Sequence, residues 1–292
     1  MSALTSDRPR KSRFRKLGRQ LRNRRIRAHR WLYKQLRIVA RELPYDNIYH
    51  CCTQRTGSQW FRHIFSDPIV YRYTGLDVVR FIPLHDEWKY ADCNFDMELP
   101  KRTIALHLYI GYPTYGTIPK PAAHRTFFMM RDPRDLVVSW YFSTRYSHVP
   151  MGYIPEYRKI LEKMDKTEGL KHTIDVLQQG IFPMQRSWAR APESADNIRV
   201  LRYEDLSGDN RMFLRQLFDY LDIELPEREF AALYERHRFE KKAQGRPQGS
   251  ENQWSHYRKG VAGDWKNHFD ASIASYFRQE TGDLLDVLGY AG

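Results

Sequence analysis

Residues 53–60 read TQRTGSQW, with Gly57 between the hydroxyl residues Thr56 and Ser58. The stretch follows an apolar run, Ile48 to Cys52, that reads as a buried strand. It leads into WFRHIF, whose apolar spacing is helical. A glycine at a strand-to-helix turn lets backbone N–H groups close on an anion. Thr56 and Ser58 add hydroxyl donors, and Arg55 adds a fixed positive charge. The plainer alternative is an ordinary turn carrying one exposed arginine. The stretch is not a Walker A loop, because G-x-x-x-x-G-K-[ST] is absent and no lysine here precedes Ser or Thr.

Three further stretches go with this one. RDPRDLVVSWYF occupies 131–142, VLRYEDL occupies 200–206, and RKGVAGDWKNHF occupies 258–269. Together with TQRTGSQW they resemble four motifs of the cytosolic-type sulfotransferases. Those motifs run Y-P-K-S-G-T-T-W, R-N-P-K-D-x-x-x-S-x-Y, F-x-Y-E-D-L and R-K-G-x-x-G-D-W-K-N-x-F. All four occur in the family's order, and the last is nearly identical. The resemblance implies sulfuryl transfer from 3′-phosphoadenosine-5′-phosphosulfate (PAPS) to an acceptor hydroxyl, leaving 3′,5′-bisphosphoadenosine. It implies no metal.

The resemblance also implies roles. Arg55, Thr56, Gly57, Ser58, Gln59 and Trp60 correspond to the 5′-phosphosulfate loop. Arg55 stands where the family has its catalytic lysine; it keeps the charge and offers a fork of donors, but cannot give up a proton. His107, in ALHL, matches the family's general base in K-T-H-L, a task that suits a group titrating near neutral pH. The lysine of that motif is Ala105 here, so one contact to the transferring group is missing or supplied elsewhere. Arg131 and Ser139, eight apart as in the family, and Arg258, Lys259 and Gly260 are implied to hold the 3′-phosphate. The alternative for the first two is an arginine paired with Asp135 and an ordinary helical serine. Trp60 and Phe239 match the adenine-stacking aromatics, and Tyr203 matches a tyrosine that contacts the nucleotide. His237 and Arg238 replace hydroxyl residues beside Phe239, and Trp265 is expected to pack rather than to bind. The acceptor side is expected from 85–95, 140–157 and 240–257, which are aromatic and mixed in charge.

The chain has 292 residues and a net charge of +13. Residues 1–44 hold 15 Lys and Arg against Asp7 and Glu42, so they account for about all of that charge. The rest carries 33 basic and 33 acidic residues. The basic character therefore belongs to an arm, which argues against a specific nucleic-acid-binding body. The three cysteines, Cys51, Cys52 and Cys93, have neither zinc spacing nor the even count of a disulfide framework. No apolar run approaches a membrane span, and no signal-peptide core is seen. The expected location is cytoplasmic, with a peripheral contact to an anionic membrane surface through residues 1–44 as an open alternative.

The elements that must place these residues follow from patterning. Residues 1–20 are polar and Arg-rich and are expected to be disordered. A basic amphipathic helix is expected from about Leu21 to Glu42, with Leu32, Leu36 and Val39 on one stripe and Pro44 as its stop. That stripe either meets a membrane or partner, or packs on the domain. From Tyr45 strands are expected at 48–52, 77–83, 102–110, 125–130 and 197–203. Helices are expected at 135–147, 155–190, 211–225 and 227–239, and one closes the chain. Strands alternating with helices predict an α/β fold with a mostly parallel sheet. The resemblance makes it P-loop-NTPase-like, with a sulfotransferase domain over 45–292 that binds nucleotide at the strand C-termini. The acceptor stays open among a glycan, a lipid alcohol and a small phenol. The rival reading is a non-catalytic protein that keeps the nucleotide fold as scaffold and uses the arm for membrane or nucleic acid. A nucleotide kinase is disfavoured by the missing Walker A lysine.

Overall fold

The structure, a computed structural model, describes residues 24–80, 98–191 and 196–290. The expected acceptor-side stretch 85–95, Cys93, the last part of the apolar run 77–83, and residues 1–20 lie outside them. Five parallel strands form the sheet: β1 (Asn47–Cys52), β2 (Asp77–Arg80), β3 (Thr103–Leu108), β4 (His124–Met130) and β5 (Ile198–Arg202). Their order is β2-β3-β1-β4-β5. The chain builds one side of β1 first and then the other, so β1 lies at the switch point where such sheets place ligands.

Helices cover both faces. They are α1 (24–35), α2 (Ser58–Phe65), α3 (Pro68–Arg72), α4 (Tyr112–Thr117), α5 (Pro133–Phe142), α6 (Ile154–Glu162) and α7 (Lys166–Gln178). After these come α8 (Ile181–Ala189), α9 (Tyr203–Gly208), α10 (Asn210–Tyr220), α11 (Glu227–His237), α12 (Phe239–Lys242), α13 (Ala271–Thr281) and α14 (Leu284–Val287). Strand alternation divides the core into two layers. Tyr49, Cys51, Phe128 and Met130 pack with Trp140, Ile174, Trp188 and Phe277 on one face. Ile48, Cys52, Phe127 and Met129 pack with Phe61, Phe65, Leu217 and Phe230 on the other. Consecutive residues of a strand point to opposite faces, so strands buried on both sides read as unbroken apolar runs.

Several boundaries differ from expectation, each for a local reason. The single helix expected over 155–190 is three: Asp165 begins α7 with a capping box to Glu168, and Gly180 precedes α8. The closing helix breaks at Gly282, which takes a φ of 58°. The arm helix stops at 35 rather than 42, because Arg37 enters the left-handed region at φ 48°. The helix expected over 135–147 starts earlier, at Pro133, where the Asp132 carboxylate caps it, and widens into a π turn over Ser143–Ser147.

Candidate active site

The anion loop is built as its residue types require. Gly57 is left-handed at φ 83° and caps α2. A Cβ there would sit 3.0 Å from Leu206 Cδ2, so glycine is needed for both conformation and room. Arg55 is also left-handed, at φ 70°. Its Nε donates to Ser139 Oγ at 3.0 Å, tying the loop to α5. Arg131, at the end of β4, donates from Nη1 to the Arg55 carbonyl at 2.7 Å and lies 4.1 Å over the Tyr203 ring. Its contact to Asp135 is long, at 3.9 Å. Asp135 is instead committed to Gly263 N at 2.7 Å and Trp265 N at 2.9 Å. Those two bonds hold the GDW turn against α5, and so carry Arg258, Lys259 and Gly260 to the same place.

One cavity gathers the result. Arg55, Gly57, Ser58, Gln59, Trp60, Arg131, Ser139, Tyr203, Phe239, Arg258, Lys259 and Gly260 all line it. These residues come from five separate segments, and the fold brings them together at the C-terminal ends of β1, β4 and β5. The Trp60 indole donates to the His237 carbonyl at 3.0 Å. The Phe239 ring lies where a side chain on Gly260 would be: a Cβ there would be 2.4 Å from it. His237 and Arg238 do not line the cavity; His237 reaches Asp67 at 2.8 Å and Arg238 reaches Glu235 at 3.1 Å. Trp265 packs, with the Arg134 guanidinium 3.9 Å over its ring.

Two of the expected residues stand behind the wall. Thr56 does not offer its hydroxyl to the cavity, because its Oγ1 donates to the Thr53 carbonyl at 2.7 Å and the residue is buried. His107 is also buried, and its Nε2 donates to the Ser58 carbonyl at 2.7 Å. The cause lies in β3. Between Tyr49 and Cys51 of β1, β3 advances from Ala105 to Leu108, one residue too many. That bulge carries His107 at φ 62° and turns its ring toward α2. Ser58 and Tyr109 form the wall there; their hydroxyls are 3.2 Å apart, and the Tyr109 ring stacks 6.0 Å from His107.

Electrostatically the site is a surplus of held cations. Burial, then the nearby Arg131, lowers Arg55 to about 10, so it remains charged at neutral pH. Arg258 pairs with Glu251 at 2.6 Å and with Asp264, and Lys259 also pairs with Asp264. Arg55 and Arg131, in contrast, lean on each other's loop, with Asp135 3.9 Å from Arg131 and Glu204 also within reach of its charge.

Sequence reasoning missed several contributors. Gln185 is fully buried and brackets Arg131, accepting from its N–H at 2.9 Å and donating to its carbonyl at 3.0 Å. Nothing in FPMQRSW marks that role. Tyr109 lies two residues from the matched His107, and that spacing was the available signal. His256 Nδ1 is 3.4 Å from Arg55 Nη1; a guanidinium only donates, so that nitrogen is the acceptor. From the stretches expected on the acceptor side, Trp140, His148, Gln248, His256 and Tyr257 line the cavity.

The family model described as the sulfotransferase domain matches residues 46–289. The 3-alpha-hydroxysteroid sulfotransferase of Cavia porcellus is 25% identical over 252 residues, covering 76% of this chain and 78% of that protein. Sulfotransferase 2A1 of Homo sapiens is 21% identical over 247 residues, with the same coverage of 76% and 78%. Among solved structures, mouse sulfotransferase SULT7A1 complexed with PAP superposes with a TM-score of 0.56 at 17% identity, covering 87% of this chain and 92% of that one. Among the described residues no helix is long and apolar enough to cross a membrane.

Proposed function

We infer, since the chain belongs to the sulfotransferase domain family and transfers sulfuryl groups, that its donor is PAPS and that the cavity around Arg55 holds it. The observation that carries this reading is the convergence of Arg55, Arg131, Arg258 and Lys259 on one cavity with Trp60 and Phe239 beside them. Cations beside aromatic faces suit a nucleotide phosphorylated at both ends. Arg131, Ser139 and Lys259 take the 3′-phosphate, Gly260 leaves room for the Phe239 ring, and Trp60 and Phe239 flank the base. The donor supplies the sulfuryl group and leaves as 3′,5′-bisphosphoadenosine.

Arg55 and the first amides of α2 face the charge that builds on the leaving phosphate as its bond to sulfur breaks. Arg55 cannot hand that phosphate a proton, so its contribution is electrostatic. The acceptor oxygen forms the new bond to sulfur and must lose its proton. His107 takes it in this reading. Its Nε2 is engaged as a donor to the Ser58 carbonyl, which makes Nδ1 the basic nitrogen of the ring. Because the ring lies behind Ser58 and Tyr109, their hydroxyls pass the proton inward.

The acceptor is an alcohol with an apolar body. Tyr109, Trp140 and Tyr257 form the wall, and the exposed Val149, Met151 and Trp254 lie beside it in sequence. The hydroxysteroid in the name of the Cavia porcellus relative is consistent with that chemistry. The basic arm, residues 1–44, stands outside the reaction and is read as a peripheral contact to an anionic membrane surface.

Titration calorimetry with 3′,5′-bisphosphoadenosine, with ATP as control, tests the donor assignment. The expected result is tight binding of the first and weak binding of the second. Equal binding of the two, or none, would remove PAPS as donor.

A further inference from the structure

The arm helix α1 meets the body through one side only. Arg30 donates to the Phe65 carbonyl at 3.0 Å, to the Leu76 carbonyl at 3.2 Å and to Asp77 at 3.4 Å. Lys34, one turn on, pairs with Asp77. Away from them lie uncovered apolar side chains: Trp31 is 62% exposed on the flank and Leu32 41% on the far side, and Leu36, just past the last turn, is 61% exposed. At 3.6 residues per turn, Leu32 points about 160° away from Arg30. Of the stripe expected either to pack on the domain or to meet a membrane, Leu32 and Leu36 stay bare, while Val39, past the end of α1, is half-buried against the body beside Gly75. Around it stand Arg24, Arg25, Arg27, Arg37 and Arg41, with no acidic residue between 24 and 41.

We propose that α1 is an interfacial membrane helix, which inserts Trp31, Leu32 and Leu36 into an anionic bilayer while Arg30 and Lys34 fix it to the domain. This rests on reading the arm as a membrane contact, and it names the face and the orientation. A tryptophan among leucines, rimmed by arginines, matches the boundary between acyl chains and anionic headgroups. The anchoring bonds add a consequence. Asp77 begins β2, level with Thr103 and Asn47 at the N-terminal ends of the strands. The cavity lies at the C-terminal ends, about 20 Å away along a six-residue strand. The docked domain thus turns its cavity away from the lipid that α1 binds, and the acceptor arrives from the aqueous side.

The test is co-sedimentation of the full chain with vesicles of phosphatidylcholine alone and with added phosphatidylserine, at low and high salt. The expected result is binding only to the anionic vesicles, weakened by salt. The double variant Trp31→Ser and Leu36→Ser should bind roughly tenfold or more weakly, with unchanged melting and unchanged transfer to a soluble acceptor. No binding by the wild type would overturn both the membrane reading and the insertion face. Full binding by the double variant would overturn the insertion face alone and leave a purely electrostatic contact from the rest of the arm. A concentration-dependent dimer in sedimentation velocity that the double variant abolishes would assign the face to a second copy of the chain instead.

Discussion

Replacing Gly260 by alanine should weaken binding of 3′,5′-bisphosphoadenosine through Phe239, and the size follows from two separable terms. The new Cβ would lie 2.4, 2.7 and 2.9 Å from three carbons of the Phe239 ring. Carbon atoms pack at about 3.5–4.0 Å, so the ring must retreat by roughly 1 Å. A retreating ring no longer supports the base, and base–aromatic stacking is worth about 1–3 kcal/mol. Gly260 also has φ 76°, which costs alanine roughly 1–2 kcal/mol. That strain is present in free and bound protein alike, so it lowers the melting temperature without touching affinity. Calorimetry on Gly260→Ala should therefore show a loss of about 5- to 150-fold. In a Phe239→Ala background the clash is gone, and Gly260→Ala should leave affinity nearly unchanged while still lowering the melting point. The coupling between the two sites is then the whole stacking term. Equal affinity losses from Gly260→Ala in both backgrounds would refute the argument, since the glycine would then act on the ligand directly rather than through the ring.

His107→Ala should keep donor affinity and lose about 10²–10⁴-fold in turnover, the usual share of a general base; turnover near wild type with several acceptors would remove it from that role. Arg131→Ala and Lys259→Ala should each weaken 3′,5′-bisphosphoadenosine more than adenosine 5′-phosphosulfate, and equal losses for both ligands would show that the 3′-phosphate lies elsewhere. Burial pushes the Asp264 carboxyl up, but hydrogen bonds from His268, Lys259, Asn267 and Arg258 outweigh it and hold the group well below the usual range. A depressed carboxylate stabilises above its unfolded value and loses that contribution as pH falls. Asp264→Asn should thus lower the melting temperature fully at neutral pH, and the gap from wild type should narrow below about pH 4; a gap constant down to pH 2 would contradict the ion-pair account.

Much of this was legible in the chain because strands buried on both faces leave continuous apolar runs, and because loop residues that need special geometry are few. TQRTGSQW announced its turn through Gly57, and RDPRD announced a helix start through Asp132 and Pro133. What stayed hidden depends on pairing rather than on composition. The bulge in β3 arises from the register of β1 against β3, and no residue in TIALHL reports it. It moves His107 from the cavity wall to a place behind it, which a linear motif could not show. The same holds for Thr56, whose hydroxyl could serve an anion or a carbonyl; only the folded turn brings the Thr53 carbonyl within 2.7 Å. The arm was legible in charge but not in orientation, since an amphipathic stripe looks the same whether it packs or stays bare.

The arginine at position 55 fits its surroundings in a way that lysine would not. A lysine head is a single point of charge, whereas the guanidinium reaches Ser139 through Nε and His256 through Nη1 at once. Arg55 thereby bridges the first loop, α5 and the loop before Arg258. Its charge is held 84 residues in sequence from Ser139 and beside Arg131, whose guanidinium is fixed by the Arg55 carbonyl. Burial, and after it the nearness of Arg131, disfavours the charge on Arg55. An incoming dianion offsets this. In this reading the electrostatic field is already in place when charge moves onto the leaving phosphate.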